Sequence, residues 1–168
     1  MFTAPLIERA AALLAACRAR GLTIATAESC TGGLIAGLLT EIPGSSAAFE
    51  RGFVVYANAA KTEMLGVPEA LLAAHGAVSE AAARAMAEGA LAHSPADLAL
   101  AVTGIAGPDG GTAEKPVGLV HFACARRGGE TTALERRFGD VGRAAARLKS
   151  VETALTMLEA AAQTAARP

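Results

Sequence analysis

The sequence predicts an α/β fold: a single domain built as a three-layer α/β/α sandwich around a mixed β-sheet. Three observations predict it. Short apolar runs at 22–27, 49–57 and 97–102 alternate with stretches of helical spacing. A late pair of extended runs, 117–126 and 131–138, flanks Gly128-Gly129 and reads as a hairpin, which makes the sheet mixed rather than purely parallel. The length of 168 residues, 52% of them hydrophobic, suits one core without disulfides or metals. No repeat or linker divides the chain, so 1–168 reads as one domain.

The elements follow in order. Over 6–20, Leu6, Ala10, Leu13, Leu14 and Cys17 share one helix face, and Gly21 stops the helix. The strand at 22–27 runs into Glu28-Ser29-Cys30-Thr31-Gly32-Gly33 and then an apolar helix at 34–39, broken by Pro43-Gly44. Phe53 to Tyr56 form the heart of the second strand, and Asn58 is placed to cap a short helix that carries Lys61 and ends near Gly66. Pro68 restarts a helix to about Ala74, and Ser79 with Glu80 opens another to about His93. The strand at 97–102 delivers a loop from Thr103 to Gly111, and Gly139-Asp140 opens the last helix.

Composition narrows the function classes. A net charge of −1 argues against a nucleic-acid binder held by its overall field. The first residues form an amphipathic stretch with Glu8, Arg9 and Arg18, unlike a signal peptide or membrane span, so no membrane partner and a cytoplasmic location are expected. The three cysteines, Cys17, Cys30 and Cys124, have no zinc-like spacing and read as buried free thiols in a reducing compartment. His75, His93 and His121 share no metal-site spacing; His121, in an apolar strand, reads as structural, and His75 as a turn residue.

Four segments carry more polar and turn-forming residues than the scaffold requires. At the first, Ser29 sits at a strand end beside the amides of Thr31, Gly32 and Gly33. It is either a nucleophile next to an oxyanion pocket or, like Thr31, a helix cap. The surrounding residues do not form the GxSxG elbow. In the second, Lys61 is the only lysine in the first two-thirds of the chain, where other basic residues are mainly arginine. Lysine, unlike arginine, serves as a neutral base once desolvated; the alternative is a solvated surface lysine. Tyr56, the sole tyrosine, is a core aromatic, a stacking residue or a proton relay. The third segment, from Thr103 through Gly104 and Gly107 to Gly111, is a ligand-loop candidate but matches neither a Walker loop nor GxGxxG. In the fourth, Arg143 and Arg147 lie one turn apart, facing either a phosphate or solvent.

Taken together the chain resembles the nicotinamide-nucleotide amidase family, also known as the CinA C-terminal domain. The resemblance rests on Thr26-Ala27-Glu28-Ser29-Cys30-Thr31-Gly32-Gly33, Gly44-Ser45-Ser46 with Phe49-Glu50-Arg51-Gly52-Phe53, and Tyr56-Ala57-Asn58 through Lys61. It continues through His75-Gly76-Ala77-Val78-Ser79-Glu80, the loop from Thr103 to Gly111, and Lys115-Pro116-Val117-Gly118. These stretches occur in family order over nearly the whole chain.

The resemblance implies a metal- and cofactor-free Ser/Lys amidohydrolase acting on nicotinamide mononucleotide. It makes Ser29 the nucleophile and Lys61 the base, supported by Tyr56 and Thr103, with Ser46 at the substrate or oxyanion. Where the family has Gly-Asp-Arg, this chain has Gly139-Asp140-Val141-Gly142 before Arg143, a small insertion that leaves Arg143 as the nearest phosphate candidate. The short, stand-alone form and a homo-oligomer are expected. A nucleotide-binding module without turnover, or an amidase on a related pyridine carboxamide, is the alternative.

Overall fold

A computed structural model describes residues 2–164. It is the α/β/α sandwich the sequence predicts. In chain order the elements are α1 (Ala4–Ala19), β1 (Ile24–Glu28), α2 (Leu34–Thr40), β2 (Phe49–Val54), α3 (Asn58–Leu65), α4 (Glu69–His75), α5 (Glu80–Ala92), β3 (Leu98–Gly104), β4 (Leu119–Arg126), β5 (Thr132–Arg137) and α6 (Arg143–Thr164). A single 3-10 turn, Ser45–Ala47, precedes β2.

The five strands are ordered β2-β1-β3-β4-β5. β1 lies parallel to both neighbours, while β3–β4 and β4–β5 are antiparallel. The sheet is therefore mixed for the reason foreseen: the residues around Gly128 close a hairpin. β1 is also where the connections diverge. Its chain leaves through α2 on one face, whereas β2 returns to β3 through α3, α4 and α5 on the other. In open α/β sheets, the crevice beyond the strand ends at such a switch point is where ligands bind.

The two faces are packed with side chains of different size. Ile24, Leu98, Leu100, Val102, Val120 and Phe122 point toward α1, α2 and α6. Ala25, Ala27, Ala99, Ala101, Ala123 and Ala125 point toward α5, which answers with Ala82, Ala83, Met86, Ala87 and Ala90. Alternation along each strand sends neighbouring residues to opposite faces, so a Leu-Ala-Leu-Ala pattern builds one bulky layer and one thin one. In the thin layer Gly89 has no room for a Cβ, because the Leu65 carbonyl occupies the space. All three cysteines are buried and free. No helix among the described residues is long and apolar enough to cross a membrane.

Several boundaries differ from expectation for identifiable reasons. The second strand stops at Val54: the Val55 N–H still bonds the Glu28 carbonyl at 2.8 Å, but the Val55 and Tyr56 carbonyls turn to Lys61. Asn58 does not cap α3; it is the first helical residue, and Ala57 holds the cap position without a side-chain bond. The last helix starts at Arg143 because Gly139 and Gly142 both take left-handed φ values, 72° and 83°, which keep the segment out of the helix. Ser79 does cap α5, accepting from the Ala82 N–H at 3.1 Å.

Candidate active site

The residue that follows β1 is Ser29, and the fold brings Lys61 to it from α3 on the thin-layer side. Lys61 Nζ lies 3.2 Å from Ser29 Oγ, 2.9 Å from the Val55 carbonyl and 3.1 Å from the Tyr56 carbonyl. Ser29 is 8% exposed and Lys61 1%. The Ser29 backbone is fixed by its N–H to the Val102 carbonyl at 3.0 Å, which ties the serine to β3. Lys61 is therefore a buried residue and not the solvated helix lysine that its residue type alone favours.

Burial holds the Lys61 ammonium below the usual lysine value of 10.5, opposed only by the neighbouring Cys30 thiol. That thiol is itself pushed up to about 12, chiefly by burial. Lys61 forms no ion pair among the described residues. Lys61 Nζ donates to the Val55 and Tyr56 carbonyls and lies within hydrogen-bond distance of Ser29 Oγ, with no carboxylate among its partners.

Beside this pair sits a buried carboxyl group, at a position that no residue-type signal singles out. Glu28 is 0% exposed. Its Oε2 accepts from the Thr31 hydroxyl at 2.6 Å and from the Gly33 and Ile35 N–H groups at 3.0 Å each; Oε1 accepts from the Ala36 N–H at 2.8 Å. Neither Ser29 nor Thr31 caps α2, whose cap residue is Gly33 with no side-chain bond. The Glu28 carboxylate does that work, folded back over the turn. Capping rules look for an acceptor at the cap position itself, and so they miss a carboxylate five residues earlier.

The amides proposed for an oxyanion divide accordingly. Gly32 N–H is spent on the Ser29 carbonyl at 3.1 Å and Gly33 N–H on Glu28. Among the described residues neither the Cys30 nor the Thr31 N–H bonds to another residue, the Cys30 N–H lying toward its own thiol. Gly32 and Gly33 take φ of 59° and 92°, the left-handed region that the turn requires.

The other nominated residues fall into three groups. Tyr56, 60% exposed, is a rim residue rather than a core aromatic, and only its carbonyl meets Lys61. Its hydroxyl accepts from Arg143 at 3.0 Å, and the same guanidinium donates to the Gly107 carbonyl at 3.1 Å. Arg143 thus bridges the loops that follow β2 and β3. Thr103 is buried and donates its hydroxyl to the Ala77 carbonyl at 2.8 Å, anchoring the turn around His75. Gly104 is the last residue of β3, where Val120 and Leu119 of β4 fill the space of a Cβ.

Ser46 lies away from the Ser29 turn. It lies in the 3-10 turn before β2, beside Ala48, whose carbonyl bonds the first residue of β1. Ser29 follows the last residue of β1. At about 3.3 Å per strand residue the two serines are separated by roughly 15 Å of sheet. Within one chain Ser46 does not reach the Ser29 turn, because it precedes β2 whereas Ser29 follows β1, and in parallel strands these are opposite ends of the sheet.

Arg147, grouped in the sequence with Arg143, turns elsewhere. It donates to the Thr31 carbonyl at 2.8 Å, and its Nε is buried without a partner. His121 lies 3.7 Å from Glu135, and burial lowers its pKa. Lys115 donates to the His75 carbonyl at 2.7 Å. Among the described residues no group of His, Cys, Asp and Glu gathers with metal-binding spacing.

The model of the CinA C-terminal domain family matches residues 7–162. A putative competence-damage inducible protein of Symbiobacterium thermophilum is 70% identical over 109 residues, 65% of this chain but 26% of that relative. The matched stretch spans about a quarter of that protein's length. The nicotinamide-nucleotide amidohydrolase PncC of Escherichia coli K12 is 60% identical over 115 residues, covering 68% of this chain and 70% of PncC. Among solved structures, a competence/damage inducible protein from Agrobacterium tumefaciens superposes with a TM-score of 0.93. It shares 55% identity, covering 95% of this chain and 97% of that one.

Proposed function

The chain belongs to the CinA C-terminal domain family, and from that premise we propose that it hydrolyses the carboxamide of nicotinamide mononucleotide by a Ser/Lys mechanism. One observation carries the proposal: a buried lysine without a counter-ion, 3.2 Å from a serine hydroxyl at the sheet's switch point. Its similarity to an amidohydrolase of nicotinamide nucleotide supplies the substrate.

Neutral Lys61 accepts the Ser29 proton as Oγ bonds the carboxamide carbon. The oxyanion forms near the Cys30 and Thr31 N–H groups, the donors the turn leaves unspent. Lys61, now with three protons for three acceptors, delivers one to the departing nitrogen. The C–N bond breaks and ammonia leaves. Water then attacks the acyl-serine, its proton passing to Lys61 and on to Ser29 Oγ, and nicotinic acid mononucleotide is released. Tyr56 contributes through its carbonyl, which aims the Lys61 lone pair, and as a ring on the rim. Arg143 offers its exposed guanidinium at the mouth to the nucleotide phosphate.

The test is ammonia release from nicotinamide mononucleotide by wild type, Ser29→Ala and Lys61→Ala, with EDTA throughout. Turnover lost in both variants is the expected result. Activity surviving Ser29→Ala removes the nucleophile. An inactive wild type that still binds the nucleotide makes the domain a binding module.

A further inference from the structure

Residues Ser29 to Gly33 form a turn held from two sides by charged groups, and both grips meet on Thr31. From one side the Glu28 carboxylate takes the Thr31 hydroxyl at 2.6 Å. From the other the Arg147 guanidinium takes the Thr31 carbonyl at 2.8 Å. Thr31 itself is 0% exposed. Arg147 comes from the second turn of α6, far along the chain, and a Cβ on Gly32 would sit 3.5 Å from its Nη2.

We propose that Glu28 and Arg147 are positioning residues that clamp Thr31 and thereby fix Ser29 Oγ and the Cys30 and Thr31 N–H groups relative to Lys61. The proposal rests on the amidase reading and separates the two arginines that sequence placed together. Arg143 lies exposed at the mouth, bonded to Tyr56 and Gly107, while Arg147 reaches the back of the turn. The buried Nε of Arg147 has no partner and no solvent, so that donor is closed to a substrate phosphate. Such a group is costly to bury, and a helix face that merely needed charge would leave it in water.

The clamp also explains why a turn rich in glycine keeps one shape. Gly32 and Gly33 have access to more backbone conformations than other residues. Holding the hydroxyl of Thr31 to Glu28 and its carbonyl to Arg147 fixes the Thr31 side chain and the Thr31–Gly32 peptide, directly after the Cys30 and Thr31 amides. Small displacements of a reacting group cost on the order of a hundredfold in rate.

The test uses Thr31→Val, Thr31→Ser, Arg147→Met and their double variant with Thr31→Val, assayed for ammonia release from nicotinamide mononucleotide and checked for folding by circular dichroism. Thr31→Val and Arg147→Met are expected to lower kcat by roughly tenfold to a hundredfold with KM within about threefold, and Thr31→Ser to retain the rate. The double variant is expected to lose less than the product of the single losses, because both act through one residue. A raised KM with unchanged kcat in Arg147→Met overturns the proposal and makes Arg147 a substrate ligand, as does an unchanged kcat in Thr31→Val. Should Arg147→Met fail to fold, the isosteric Thr31→Val and its Thr31→Ser rescue decide alone. Labelling of Ser29 by a fluorophosphonate, in which Oγ displaces fluoride, reads the same positioning without the substrate. An inactive wild type whose Ser29 labels rapidly, and slowly in Thr31→Val, sinks the substrate assignment and leaves the clamp standing; equal labelling rates sink the clamp.

Discussion

Glu28 and Lys61 flank the same serine, both are essentially out of water, and they are held in opposite ways. Glu28 has four hydrogen-bond donors on its two oxygens, three of them backbone N–H groups that no other part of the chain satisfies. Lys61 has two carbonyls and one hydroxyl, and no carboxylate. A carboxylate saturated by amides is fixed in its place. A lysine whose third partner is a hydroxyl is satisfied whether it carries two protons or three. The first arrangement builds structure; the second leaves a proton free to move.

The largest expected break in that comparison is Lys61→Met. Removing the base lowers ammonia release by about a thousandfold or more. Stability changes little, since relief of the desolvated amine offsets the Val55 and Tyr56 carbonyls left without their donor. Calorimetry beside the activity assay reads both; a clear drop in melting temperature would make Lys61 a structural residue after all.

Next comes Glu28→Ala. Leaving several buried N–H donors unpaired costs about 3 kcal/mol or more, at about 1–3 kcal/mol for each such group. At roughly 2–4 °C per kcal/mol for a chain of this size, the melting temperature falls by about 6–12 °C. A loss below about 1 kcal/mol would mean that water replaces the carboxylate easily, against the burial seen here.

A smaller effect sharpens the contrast through pH. The folded Lys61 loses its proton below the unfolded value of 10.5. Between those two points the unfolded chain binds one more proton, so stability rises with pH across the window. kcat/KM rises through the same lower limb as the neutral base appears. Lys61→Met abolishes the stability slope attributable to this group. An activity profile that falls with rising pH in that range would exclude a neutral lysine base.

The smallest effect is expected for Ser46→Ala. Because the 3-10 turn lies at the opposite end of β1, activity should stay within about twofold of wild type, as for a substitution remote from the chemistry. A loss greater than tenfold in ammonia release would require another copy of the chain to bring Ser46 to the site.

Much of this molecule was legible in the residues themselves. Alternating Leu and Ala in 98–101 specifies two unlike sheet faces, Ser79 announces the start of α5, and the hairpin around Gly128 sets the antiparallel edge. These signals are local: side-chain period, capping and turn chemistry act within a few residues. Ser29 and Lys61 were nominated by residue type and by family resemblance, 32 positions apart in the chain. That Lys61 is buried against the Val55 and Tyr56 carbonyls, and that Glu28 rather than a hydroxyl caps α2, were settled by tertiary packing. So were the displacement of Ser46 to the far end of the sheet and the parting of Arg143 from Arg147. Desolvation and hydrogen-bond satisfaction depend on what surrounds a group in space, and a linear pattern carries period and propensity but not the neighbours that parallel strands and crossing helices bring together.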